Sequence, residues 1–269
     1  MLRKIMGVVL MVMCMGSASA FGSDMEDISR VLDKFNAALD RKLNEIGVGV
    51  ENAAGELAVS LSDKEKVRSI LSDLCRSNQP YVIDAAFIDL DGRMAVIEPA
   101  AYRKYEGMDI HVQKQVGMVF SAKKPVFSNV FRAAEGVDAI SFQMPVFSPA
   151  GKRLGAVSIL LKPYDLLSLV IMPVIKDTDV DIWVMQKNGL VIFDRDEKEI
   201  GKNVLSDEYY KPFHRLLSVC QRIVSNKTGE GEYEFYATGT ETPVRKKAVW
   251  NTVSIHGTEW RVVYYEVVM

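Results

Sequence analysis

Five side chains able to hold a small molecule, Tyr102, Tyr105, Asp109, His111 and Gln113, crowd one polar segment between Pro99 and Gln115. Aromatic rings can enclose an apolar body while carboxylate, imidazole and amide groups fix its orientation, and a binding pocket needs both. Further on, Ser141 and Gln143 share one strand face by period two, against Ile140, Phe142 and Met144 on the other. Either face can be the inner one. Together these residues are the candidate ligand-binding set. No catalytic or metal-ligating pattern accompanies them. His111, His214 and His256 lie far apart, outside spacings such as His-Glu-x-x-His, and neither a Gly-x-Ser-x-Gly elbow nor a glycine-rich phosphate loop occurs. Asp89-x-Asp91-Gly92 matches the opening of a calcium loop without its later ligands, and Asp194, Asp196 and Glu197 read as a solvated loop. No enzyme, metal or cofactor is therefore expected.

The elements that must position this set are written twice. Phe87 to Val96 is an apolar run, an Asp91-Gly92 turn and a second apolar run, followed by a polar segment to Gly107. Trp183 to Phe193 repeats the arrangement around Asn188-Gly189, with its polar segment reaching Gly201. Gly92 and Gly189 lie 97 positions apart and Gly107 and Gly201 lie 94 apart, the near-constant offset of a duplicated module. Asp-Gly and Asn-Gly suit a two-residue hairpin turn, where both central residues take positive φ.

Ahead of the first copy, Met25, Ile28, Leu32, Phe35, Leu39 and Ile46 keep three-and-four spacing, which predicts a long amphipathic helix. Its stripe must lie along the two modules or along a second copy, so a homodimer is one expectation. Gly47, Gly49 and Gly55 predict a bend. A second helix follows, capped by Ser62 or Asp63, with Val67, Ile70, Leu71 and Leu74 as its buried face and Pro80 beyond its end. After the first hairpin the pattern predicts a helix over Val116 to Phe120. Strands over Pro125 to Phe131, Ala139 to Phe147 and Leu154 to Leu161 follow; turns this short force antiparallel pairing. An apolar helix, Tyr164 to Val174, connects to the second copy. There a helix over 206–224, divided by Pro212, precedes strands over Glu232 to Ala237, Val244 to Ser254 and Glu259 to Val267. The fold class is α+β: a long N-terminal helix followed by two tandem antiparallel-sheet modules.

Composition narrows the function. With 269 residues, 48% hydrophobic and 25% charged, a net charge of −2 and a pI near 6.0, the chain gives no electrostatic footprint for nucleic acid. Arg245-Lys246-Lys247 reads as a solvated strand end. Arg3 and Lys4, the apolar core Ile5 to Met15 and Ala18-Ser19-Ala20 form an export signal cut after Ala20, which places the mature chain in the periplasm or outside the cell. That compartment permits one bridge between Cys75 and Cys220, and two separate buried thiols are the other reading.

Across residues 24–267 the chain resembles the double Cache sensor domains found outside the membrane in chemoreceptors and histidine kinases. The likeness is carried by the leading helix, Glu106-Gly107-Met108-Asp109-Ile110, Lys124-Pro125-Val126-Phe127-Ser128, and Pro145-Val146-Phe147 through Gly155-Ala156-Val157-Ser158. Asn188-Gly189 with Ile200-Gly201-Lys202-Asn203, and Trp260-Arg261-Val262-Val263, complete it. This resemblance implies a signal peptide (1–20), a helical stalk (21–79), a first PAS-like module (80–163) that holds the ligand, and a connector helix with a second PAS-like module (164–269). Tyr102 matches a Tyr of the amino-acid-binding branch, whereas Gln113 stands about where an Arg is common and Leu160 about where an Asp pairs with the ligand amine. The missing carboxylate argues against an α-amino acid ligand, because an unpaired ammonium in a partly dry pocket costs several kcal/mol. With no second membrane helix or transmitter in the sequence, a membrane receptor or kinase is the expected partner. A ligand-free dimerisation or docking module is the alternative.

Overall fold

A computed structural model describes residues 22–268; the expected leader over residues 1–20 and its cleavage site lie outside them. A single helix, α1 (Gly22–Ser60), runs along two antiparallel sheets. Its stripe, Ile28, Phe35, Leu39, Ile46, Val50 and Leu57, is buried in one core with strands of both sheets. The stripe is thus covered by the chain's own modules rather than by a second copy, which removes the surface on which the expected homodimer rested. Helix α1 continues unbroken through its glycines. At Gly47 and Gly49 the helix lies against Phe142 and Leu74, which an added Cβ would touch at 3.4 and 3.5 Å. Tertiary packing keeps helical a stretch of poor intrinsic propensity. Helix α2 (Lys64–Ser77) starts at Asp63, whose carboxylate accepts the Lys66 N–H at 3.0 Å, and buries Val67, Ile70, Leu71 and Leu74.

The first sheet contains β1 (Val82–Ile88), β2 (Met94–Glu98), β3 (Val126–Phe127), β4 (Phe131–Arg132), β5 (Asp138–Phe147) and β6 (Arg153–Leu161). A 3-10 turn, Ala100–Tyr105, and α3 (Lys114–Ala122) fill the excursion between β2 and β3. The single strand expected over Pro125 to Phe131 is broken in two because the Val130 N–H leaves the sheet to donate to Gln186 Oε1 at 2.7 Å. Helix α4 (Pro163–Ile175) leads to β7 (Asp181–Gln186), β8 (Val191–Phe193), α5 (His214–Ser225), β9 (Gly229–Tyr236), β10 (Pro243–Ile255) and β11 (Thr258–Val268). Pro212 divides the helical region as its chemistry requires, with a 3-10 turn at Glu208–Tyr210 before it and α5 after it. The strand orders, β2-β1-β6-β5-β3 with β4 on β5, and β8-β7-β11-β10-β9, follow one plan.

Hydrogen bonds repeat with the same offsets. Met94 donates to the Met108 carbonyl and receives the Gly107 N–H; Val191 does the same with Lys202 and Gly201. The hairpins themselves differ from the two-residue turns expected. Gly92 and Gly189 take φ of 77° and 90°, but Asp91 and Asn188 do not take positive φ. In the first turn the Asp89 carboxylate accepts the Asp91 and Arg93 N–H groups instead. The two-residue turn occurs at His256-Gly257, with φ of 41° and 96°, between paired Ile255 and Thr258. Cys75 on α2 and Cys220 on α5 are both buried and free, so no bridge joins the modules. Among the described residues no helix is long and apolar enough to cross a membrane.

Candidate functional site

Alternation splits each strand of the first sheet between two faces. Ala85, Phe87, Phe142 and Ile159 pack with α1. Asp84, Ser141, Gln143, Ser158 and Leu160 face the other way, onto a cavity whose open space is about 330 Å³. Gln113 and the segment holding Phe131 and Glu135 close it from above.

Three buried atoms at this cavity have no hydrogen-bond partner: Asp84 Oδ2, Ser141 Oγ and Gln143 Oε1. Each unsatisfied polar atom costs about 1–3 kcal/mol, and these three converge on one space. Burial, reinforced by the charge of Glu135, holds the Asp84 carboxyl well above the usual carboxylate range, and burial raises Glu135 too. The lining contains no Lys, Arg or His. Two acids without a cation make the cavity complementary to an ammonium.

The second module supplies an internal control. Asp181 lies 97 positions after Asp84 and opens the equivalent strand. Its Oδ2 receives Arg195 Nη1 at 3.2 Å and the Tyr265 hydroxyl at 3.1 Å. Tyr265 faces Asp181 across the β7–β11 register, whereas Leu160 faces Asp84 across the β1–β6 register. Among the described residues, no cation or donor of the chain hydrogen-bonds to Asp84 Oδ2 in the corresponding place.

Of the residues expected to bind ligand, Gln113, Ser141 and Gln143 line the cavity. Tyr102 and Tyr105 stack at 6.4 Å in the segment above it, with the Tyr105 hydroxyl donating to the Glu135 carbonyl at 3.4 Å. Asp109 and His111 are placed elsewhere. The Arg93–Asp109 bridge draws them to the open end of the hairpin. There the exposed Asp109 accepts the His111 N–H at 3.0 Å and lies 3.5 Å from Arg93. Asp84, Glu135 and Ser158 escaped the sequence reading. The available signal was a lone carboxylate inside the apolar run Val82 to Ile88.

Residues 41–163 match the model of a family described as HK/GC/Chemotaxis protein-like, sensor domain. None of the curated proteins matches. Among solved structures, an extracellular ligand binding receptor from Desulfohalobium retbaense is 26% identical with a TM-score of 0.72, covering 92% of this chain and 41% of its own. The chain therefore spans less than half the length of that receptor. The ligand-binding domain of the Pseudomonas aeruginosa amino acid chemoreceptor PctB, in complex with L-Arg, is 17% identical with a TM-score of 0.61 over 90% of this chain and 96% of its own. That of the Pseudomonas fluorescens chemoreceptor CtaA, in complex with L-isoleucine, is 16% identical with a TM-score of 0.59 over 90% and 93%. Domains of this fold thus hold α-amino acids, and the argument from Leu160 against such a ligand fails. The carboxylate it found missing on β6 is present on the neighbouring strand as Asp84, Leu160's own register partner.

Proposed function

From the premise that the chain has the double Cache architecture of extracytoplasmic sensor domains, its first module within the HK/GC/chemotaxis sensor family, we propose that it is an exported sensor. Its first module binds a small ammonium-bearing molecule, amino acids included, and passes ligand state to a membrane receptor or kinase. In this reading the leader is cut after Ala20, residues 21–79 form the stalk, and residues 80–163 and 164–269 are the ligand-holding and membrane-side modules. The carrying observation is the unpartnered, buried carboxylate of Asp84, set beside Glu135, Ser141 and Gln143 on one cavity. An ammonium would take the place that Arg195 and Tyr265 take at Asp181.

Ligand at a hundredfold excess over its dissociation constant adds about 2.7 kcal/mol of stability. For a chain of this size that is a rise of roughly 5–10 °C in the melting point. A thermal-shift screen over amines and amino acids is expected to give such a rise, and Asp84→Asn is expected to abolish it. A rise that persists in Asp84→Asn would defeat the assignment of the carboxylate.

A further inference from the structure

The second sheet carries a half-open cavity of its own on the face turned away from α1. Trp183, Tyr210, Phe235 and Tyr265 wall it with rings. Two charged groups, each 4% exposed, face it incompletely satisfied. The Lys246 ammonium lies over the rings of Tyr265 and Phe235, at 4.2 and 5.5 Å from their centroids. The charges of Asp194, Asp181, Glu199 and Asp196 act on it from nearby. Glu199 receives the Tyr210 hydroxyl on Oε2 and has the Tyr209 hydroxyl and Lys202 nearby, while its Oε1 accepts no hydrogen bond within bonding geometry. Asp194 borders the same space.

Lys246 contradicts the sequence expectation of a solvated strand end, and Asp194 that of a solvated loop. Along β10, period two turns Arg245 to solvent and Lys246 into the module. The loop after β8 folds back so that Glu199 and Asp194 face the sheet rather than water. Desolvated charges without direct partners are costly, and ring faces compensate an ammonium only in part. An ammonium seated on ring faces and a carboxylate oxygen without a donor, at one ring-walled space, are complementary to a molecule carrying one charge of each sign on a small apolar body.

We propose that this second cavity is a ligand site in its own right, taking a small zwitterion whose carboxylate meets Lys246 and whose ammonium meets Glu199. It stands independently of the first cavity, whose lining offers no cation to a carboxylate.

The test is calorimetric titration of the full exported chain with β-alanine, γ-aminobutyrate, δ-aminovalerate and ε-aminocaproate, a series in which only the spacing between the charges changes. At least one member is expected to bind. Measured in the Asp84→Asn background, so that the first cavity does not contribute, Lys246→Met and Glu199→Gln, which keep side-chain volume, should each weaken that binding about tenfold or more. Circular dichroism checks folding, and Glu199→Gln decides alone if Lys246→Met does not fold. Silence of every probe overturns the proposal. So does an affinity that stays within about threefold of the Asp84→Asn parent in the folded second-cavity variants.

Discussion

Asp84 and Asp181 hold the same place in the two halves, and what surrounds each decides its chemistry. Asp181 is answered within the chain, whereas burial and Glu135 keep the Asp84 carboxyl well above the ordinary range. A bound ammonium favours the ionised carboxylate, so binding should expel a proton. Ligand affinity is expected to fall as pH drops below the raised value, and titration in buffers of different ionisation enthalpy reads the proton released. Asp194 is the second pH-sensitive residue. Burial chiefly, with the charge of Glu199, pushes its carboxyl from 3.8 up to about 7 against the opposing attraction of Lys246. A raised acid contributes stability that is fully present below its unfolded value and lost as pH rises through its folded value. Wild type should therefore lose stability from this group between about pH 4 and pH 7, and Asp194→Asn should flatten that slope in urea melts.

At the level of elements, α1 is held by what it touches. Phe35→Ala, at a fully buried position, is expected to cost about 3–5 kcal/mol in urea melts, against less than about 0.5 kcal/mol for Val59→Ala, at an exposed one. Glycines separate the same way. An added Cβ at Gly55 meets nothing within 4 Å, so Gly55→Ala should raise stability by about 1 kcal/mol through helix propensity alone. At Gly155, φ is 155° and a Cβ would sit 2.3 Å from the Ile88 carbonyl oxygen. Gly155→Ala should therefore cost about 1–3 kcal/mol or more, because strand β1 cannot yield without disturbing the line that carries Asp84.

Across the whole molecule, one core joins the modules. Residues of α1, both sheets and α4 belong to a single buried cluster. The β10–β11 turn reaches over to the first module, where the Thr258 hydroxyl donates to the Phe127 carbonyl at 2.6 Å and His256 stacks on Phe142 at 5.0 Å. Phe142 lies between the cavity residues Ser141 and Gln143 on β5, which gives the first cavity a direct mechanical neighbour in the second module. Calorimetric melting is expected to show one transition with equal calorimetric and van 't Hoff enthalpies. Two resolved transitions would contradict the shared core.

The order of residues determined by itself what is local and periodic. The stripe of α1, the cap at Asp63, the break at Pro212 and the repeated hairpins with their offsets all arise from propensity, turn chemistry and alternation acting over a few positions. Alternation also put Ser141 and Gln143 on one face, yet it left open which face is inner. Only the tertiary structure decided that, by laying α1 on the Phe142 side. It decided as well that Asp84 stands opposite Leu160, that Lys246 points inward, and that Asp109 and His111 leave the cavity. Each of these depends on pairing between segments distant in sequence, where the face a side chain meets is set by register and packing rather than by its neighbours in the chain.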